Sequence, residues 1–329
     1  MRRREFIAGL TGAAAWPLAA RAQQPKVPVV GLLNGVSFEG PYAVPVAAIR
    51  QGLQEAGFVE GQNLAIEYRA ADGRNERLPE LAADLVCSRA AVIVAIGTSM
   101  PALAAAKAAA SAVPIVFAMG SDAVEVGLVN DLERPEAKVA GTSVAAAELA
   151  SKRVELMLEL RPGASLIGYL DNSRSSEAFA TNVENLTTAA GVRGKELVAF
   201  DTASEREIET AFTDMALQRV RLLVVSADPF LTTRQAQIIE LAALSAVPAI
   251  YAARGAVVLG GLMSYGVLTR DMYRMAGIYA GRILQGATLA ESPIIIPTRF
   301  ELVVNKTTAK ALRITVPPRL LIRADEVIG

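Results

Sequence analysis

The chain has no histidine in 329 residues. That excludes Ser–His–Asp and Cys–His catalysis, the zincin motif, and nearly every catalytic zinc site. Its one cysteine, Cys87, has no partner for an internal disulfide. Cys87 lies in a helical pattern with apolar neighbours, which predicts a small core residue. Phosphate-binding signatures are missing as well: neither a Walker P-loop nor G-x-G-x-x-G occurs. "GVSFEG" (35–40) has one residue too many for a nucleophile elbow. The acids left for catalysis are the loop residues Asp122, Asp171 and Asp228, and an acid at such a position caps a helix or binds a ligand. The chain therefore reads as a protein that is not an enzyme and needs no cofactor or metal. An excess of one charge is also absent, with 33 basic and 33 acidic residues. With no basic block, nucleic acid is not an expected partner.

The first segment, "MRRREFIAGLTGAAAWPLAARAQQ", does not resemble the rest. Its basic head (Arg2, Arg3, Arg4), its apolar stretch from Phe6 to Ala20 and its Ala20-Arg21-Ala22 have the order of a secretory signal. About 15 apolar residues interrupted by Gly9, Gly12 and Pro17 fall short of the roughly 20 needed to span a membrane. "RRREFI" also fits a twin-arginine export signal, and general export remains the alternative. Cleavage after Ala22 predicts a weakly acidic, periplasmic protein beginning at Gln23.

What is present is a repeat. Residues 111–118 read "SAVPIVFA" and residues 245–252 read "SAVPAIYA", with five of eight positions identical at an offset of 134. The flanking sequence repeats with them. "GLLNG" (31–35), "NLAIEY" (63–68), "VIVAIG" (92–97) and "PIVFA" (114–118) read as strands alternating with helices. "LIGYLDN" (166–172), "ELVAF" (196–200), "LLVVSAD" (222–228) and "PAIYA" (248–252) follow in the same order. Continuous apolar runs suit parallel strands covered on both faces, and Ser204 with Glu207 forms a capping box before a helix. Strands alternating with helices predict doubly wound α/β units, two of them, with a cleft between the carboxyl ends of their strands. The loops at those ends offer binding chemistry. Thr98 and Ser99 precede a helix whose free N–H groups suit a carboxylate. Asp122 or Asp228 suits an ammonium or hydroxyl, Arg254 suits a carboxylate or an acid of the other lobe, and Phe38, Tyr42, Phe117 and Tyr251 could flank a ligand body.

Longer stretches carry a family resemblance. "GQNLAIEYRAADGRNERLPELAADLV", "PIVFAMGSDAVEVGLV", "SADPFLTTRQAQIIELAA", "PAIYAARGAVVLGGLMSYG" and "FELVVNKTTAKALRITVPPRLLIRADEVI" resemble the substrate-binding proteins of ABC transporters, in the family that includes tryptophan- and tyrosine-binding members. The resemblance implies a type I periplasmic-binding-protein fold: two Rossmann-like lobes with parallel sheets, joined by a three-crossing hinge. It implies residues 27–142 and 262–297 in the first lobe, and 143–261 and 298–329 in the second. Helix 269–285 would return to the first lobe. Ligand-facing positions implied are Ser37, Phe38, Thr98, Ser99, Met119 and Asp122 in the first lobe, and Asn172, Asp228, Tyr251 and Arg254 in the second. Gly141, Thr142, Gly260, Gly261, Ser264 and Tyr265 would belong to the hinge. Where the family commonly carries a Trp-Arg-Glu-Phe-like stretch, this chain has "AARGAVV" (252–258), which keeps only the arginine and points to a different or larger ligand. The implied function is that of a monomeric receptor delivering a small solute, an amino acid or other small carboxylate, to a membrane permease. A sensor feeding a chemoreceptor or sensor kinase is the alternative.

Overall fold

The structure, a computed structural model, describes residues 27–97, 100–109, 113–120, 122–124, 128–132, 139–174, 179–288 and 293–329. The expected signal peptide, Thr98 and Ser99 lie outside the described residues. In the first half, strands and helices alternate as β1 (Val29–Asn34), α1 (Ala43–Glu55), β2 (Ala65–Ala70), α2 (Leu78–Cys87), β3 (Val92–Ile96), α3 (Met100–Ala109) and β4 (Ile115–Ala118), closed by β5 (Val139–Thr142). The second half runs α4 (Ala146–Leu160), β6 (Leu166–Asp171), α5 (Phe179–Gly191), β7 (Glu196–Asp201), α6 (Glu205–Leu217), β8 (Leu222–Val225), α7 (Pro229–Thr233), α8 (Gln235–Leu244), β9 (Ala249–Tyr251), α9 (Arg254–Val258) and β10 (Met263–Val267). The chain ends with α10 (Thr269–Leu284), β11 (Phe300–Asn305), α11 (Lys306–Ala311), α12 (Pro318–Arg323) and β12 (Glu326–Ile328).

The repeat reappears as topology. The first sheet has the order β2-β1-β3-β4-β5, all parallel. In the second, β7-β6-β8-β9-β10 has the same order and direction, extended by β11, antiparallel to β10, and by β12. Each sheet carries a hydrophobic cluster on both faces, which is why Val92–Ile96 is an unbroken apolar run, buried at every position. The predicted capping box forms, with one change of partner. The Ser204 hydroxyl accepts from the Glu207 N–H at 3.2 Å, while Glu207 reaches back one residue further, to the Ala203 N–H at 2.7 Å.

Two expectations need correction. Cys87 is exposed, because α2 turns Leu78, Ala82 and Leu85 inward and the 3.6-residue period carries position 87 away from that stripe. The segment from 262 does not yet return to the first lobe: Met263–Val267 pairs with β9 and β11 in the second sheet. The return begins with α10, two residues later. Gly260 and Gly261 therefore lie in the α9–β10 turn inside the second lobe, where a Cβ on Gly261 would meet the Ala256 carbonyl 2.8 Å away. Gly141 and Thr142 do lie where chain segments run side by side. Thr142 bridges to Ile295, the Ile295 N–H donates to the Gly141 carbonyl, and the Ser143 N–H donates to the Ile295 carbonyl, both at 3.0 Å.

Helix α10 is held on α1 by backbone-to-backbone approach. A Cβ on Gly52 would collide with the Arg274 carbonyl, and one on Gly277 with the Ile49 carbonyl. At the helix edges Arg270 donates to Gln51 and Arg274 pairs with Glu55. Overpacking a contact of this kind costs typically about 1–3 kcal/mol. Gly277→Ala is therefore expected to lower the urea midpoint by a loss of about that size or more, whereas an alanine at exposed Gly163, which meets nothing within 4 Å, leaves it unchanged.

Candidate functional site

In an open parallel sheet, ligands bind beyond the carboxyl ends of the strands at the point where strand order reverses. Here those points lie between β1 and β3 and between β6 and β8. The strand ends at them are Asn34 and Gly97 in the first lobe, and Asp171 with the Ser226–Asp228 turn in the second. Asn34 and Asp171 occupy the same place in the repeat, closing "VVGLLN" and "LIGYLD" respectively.

On the first wall Asn34 is fully buried, and neither its Oδ1 nor its Nδ2 has a hydrogen-bond partner among the described residues. Leaving such a group unsatisfied costs roughly 1–3 kcal/mol. Gly97 sits beside it at φ 94°, and a Cβ there would stand 3.2 Å from Asn34 Oδ1 and 3.5 Å from the Tyr42 hydroxyl. The missing side chain and the left-handed backbone keep this corner open. Thr142, at the end of β5, also buries a hydroxyl without a partner among the described residues. Burial raises the pKa of Tyr42 and Tyr273, so both hydroxyls remain protonated donors.

The second wall is acidic. Asp171 is 2 % exposed. It accepts hydrogen bonds from the Tyr169 hydroxyl at 2.7 Å and the Asn172 N–H at 2.9 Å. Burial raises its pKa, opposed by hydrogen bonds from Ser226 and Tyr169. Asp228 caps α7 through the Leu231 N–H at 3.0 Å and accepts from Asn172 Nδ2 at 3.4 Å. The walls meet: α7 packs against the turn Gly40–Tyr42, and the Asp228 carboxylate adds to the burial that raises the Tyr42 pKa. A cavity of about 230 Å³ opens between the lobes, lined by Gly35, Val36 and Asn75 on one side and Asn172, Arg174 and Phe230 on the other. This is below the roughly 300–1,000 Å³ of sites for drug-sized ligands, so it suits a small solute.

Several sequence-predicted residues lie elsewhere. The Arg254 guanidinium is paired with Glu326 and, at 3.6 Å, with Glu301. Its role is to tie α9 to β11 and β12. Tyr251 and Met119 are buried in the apolar clusters of their own lobes. Ser37 is exposed and accepts from the Glu39 N–H at 3.2 Å, and Phe38 lies edge-on against Tyr68. Asp122 accepts from the Val124 N–H at 2.8 Å. Asn172 lines this cavity, and Asp228 lies beside it, accepting from Asn172 Nδ2. Asn34 and Tyr169 were missed, although the alignment of "VVGLLNG" with "LIGYLDN" carried the signal for Asn34.

Arg153 was missed as well. It lies on α4, is 7 % exposed, and donates through Nε to the Tyr265 carbonyl at 2.7 Å. Burial lowers its pKa to about 10, against the pull of Tyr169 and Tyr265.

The acidic wall generates a pH test. Folding raises the Asp171 pKa, so its contribution to stability is greatest below the unfolded value of about 3.9 and is lost as pH rises through the folded value. Urea unfolding of wild type and Asp171→Asn is expected to show wild type losing stability relative to the variant as pH rises from about 3.9 towards neutrality. A difference that does not change with pH would show that the carboxyl titrates alike in both states.

Comparison with known proteins places the chain. Residues 26–328 match the family model described as ABC transporter substrate binding protein. A curated relative, a tyrosine-binding protein of Clostridioides difficile, is 27 % identical over 262 residues, covering 80 % of this chain and 74 % of the relative. A solved structure from Streptococcus pneumoniae, an ABC domain in complex with L-Trp, superposes with a TM-score of 0.81 at 28 % identity, covering 91 % of this chain and 100 % of the other. A conserved domain protein from Vibrio cholerae superposes with a TM-score of 0.84 at 26 % identity, covering 92 % and 100 %.

Proposed function

Because the chain belongs to the ABC transporter substrate-binding protein family, we propose that it is an exported receptor that closes its two lobes on a small amino acid or related carboxylate and delivers it to a membrane permease. The observation that carries this reading is the two-walled cleft. Asn34 presents a donor and an acceptor unpaired among the described residues from one lobe, and Asp171 and Asp228 present buried carboxylates from the other. A ligand ammonium offers three donors, which suits Asp228 and the carboxamide oxygen of Asn34. The relatives that bind tyrosine and L-Trp support an amino acid. The cavity size supports a single small molecule.

The mechanism is closure, with no bond made or broken. Each polar group loses water when the lobes meet, and the ligand restores its hydrogen bonds, so the closed form is favoured only when the cleft is filled. The closed surface then docks on the permease. The receptor acts in the periplasm as a monomer, after loss of its signal peptide.

The only tryptophan in the sequence is Trp16, within the expected signal. The processed protein is therefore free of tryptophan fluorescence, and bound L-Trp reports on itself. L-Tyr and L-Trp are expected to raise the thermal midpoint, by about 2.7 kcal/mol of stabilisation at 100 times the dissociation constant, and to be recovered unchanged. Asn34→Ala is expected to weaken binding about 10-fold, the size of one lost hydrogen bond. Chemical conversion of the bound solute would overturn the receptor reading in favour of an enzyme.

A further inference from the structure

Buried arginine is costly unless a carboxylate or phosphate meets it. The ion pairs that hold the surface together, such as Arg323 with Glu159 or Arg69 with Asp84, are all at least partly solvent-exposed. Arg153 is different. It is 7 % exposed, and among the described residues no carboxylate pairs with it. Among the described residues its one hydrogen bond is the Nε contact to the Tyr265 carbonyl, which leaves the two terminal nitrogens, the fork that grips carboxylates, without an acid there.

Its position is informative. Tyr265 lies in β10, opposite Leu302 of β11 and one residue beyond Ser264, which is level with the end of β9. Its ring packs against apolar clusters of both lobes. Arg153 therefore sits at the carboxyl end of the second sheet, at the junction of the lobes. Nη2 lies 3.7 Å from where a Cβ of Gly266 would be. Its other neighbour is Tyr169, whose hydroxyl donates to Asp171. Tyr169 thus connects Arg153, beside the end of β10, with Asp171 at the switch point of the second sheet.

We propose that Arg153 is the residue that selects for an anionic group on the solute, its guanidinium gripping the ligand carboxylate while Asp228 and Asn34 hold the ammonium end. The assignment rests on the receptor reading above and deepens it: the site requires a carboxylate. It also gives "AARGAVV" a consequence. Arg254 is committed to Glu326 and Glu301, so the cation for the ligand comes from α4 instead. Because Arg153 also holds the Tyr265 carbonyl, a ligand bound to it is attached directly to the strand that leads into α10 and back to the first lobe.

The test compares wild type, Arg153→Lys and Arg153→Met in thermal-shift titrations. The probes are L-tyrosine, L-tryptophan and benzoate, each alongside its neutral amide. Wild type is expected to prefer the acids. Arg153→Met is expected to lose about 10- to 100-fold in affinity for the acids, the size of a lost charge-assisted hydrogen bond, and to bind the amides as wild type does. Arg153→Lys is expected to fall between. Without ligand, Arg153→Met should be no less stable than wild type, since removing an unpaired buried charge relieves its desolvation. Equal losses for acids and amides, together with a lowered midpoint of the free variant, would make Arg153 a structural residue and overturn the proposal while leaving a receptor. Wild type that binds amides but no acids would do the same. Wild type that binds none of the six probes would overturn the assignment and the amino-acid reading together.

Discussion

Closing two polar strand ends on each other removes water from groups that the protein does not fully pair. The carbon frame of each lobe is finished without the cleft: every sheet has its apolar clusters on both faces, and the helices carry the amphipathic stripes that cover them. The groups left over are polar. Asn34 lacks partners among the described residues, burial raises the Asp171 pKa, and among the described residues Arg153, 7 % exposed, pairs with no acid. In a folded protein stable by only about 5–15 kcal/mol, three such groups are a heavy burden unless something else satisfies them. In the proposed receptor a solute would do so, and its differential affinity for the closed arrangement would drive closure.

The duplication explains how one fold supplies two unlike walls. Both halves use the strand order 2-1-3-4-5, so both place the end of their first strand at the switch point. The structural residues of the motif have been kept: glycine stands third in "VVGLLN" and in "LIGYLD". The terminal residue has diverged from a neutral amide to an acid. An amide can give and accept while a carboxylate only accepts, so the two walls differ in the hydrogen bonds they can make. The return of α10 onto α1, through glycines that let the two backbones touch, makes the connection between the halves stiff on one side. The chain passes between the two sheets near Thr142, near Leu268 and before Phe300.

Much of this was legible beforehand. The apolar runs marked the strands because a parallel strand buried on both faces has no polar alternation to confuse with a loop. The repeat marked the two lobes, and Asn172 and Asp228 were visible as polar residues at strand ends. Arg254 and Tyr251 were misjudged for one reason: a residue just after a strand can turn to either face, and sequence spacing there does not say which. Glu301 and Glu326, the partners that claim Arg254, lie 47 and 72 positions further along the chain. Cys87 was misjudged by composition, since its neighbours are apolar but its helical phase points outward.

The sequence by itself determined the duplicated α/β architecture, the exclusion of histidine and disulfide chemistry, and the family. Those follow from local periodicity and residue type, which act over a few residues. Only the tertiary structure decided which polar groups end buried at the strand ends and beneath the helices. Asn34 lies more than a hundred positions from Arg153 and Asp171, and burial is a property of what packs around a residue. A lone arginine on an amphipathic helix reads as surface until the sheet beneath it shows that its head lies inside.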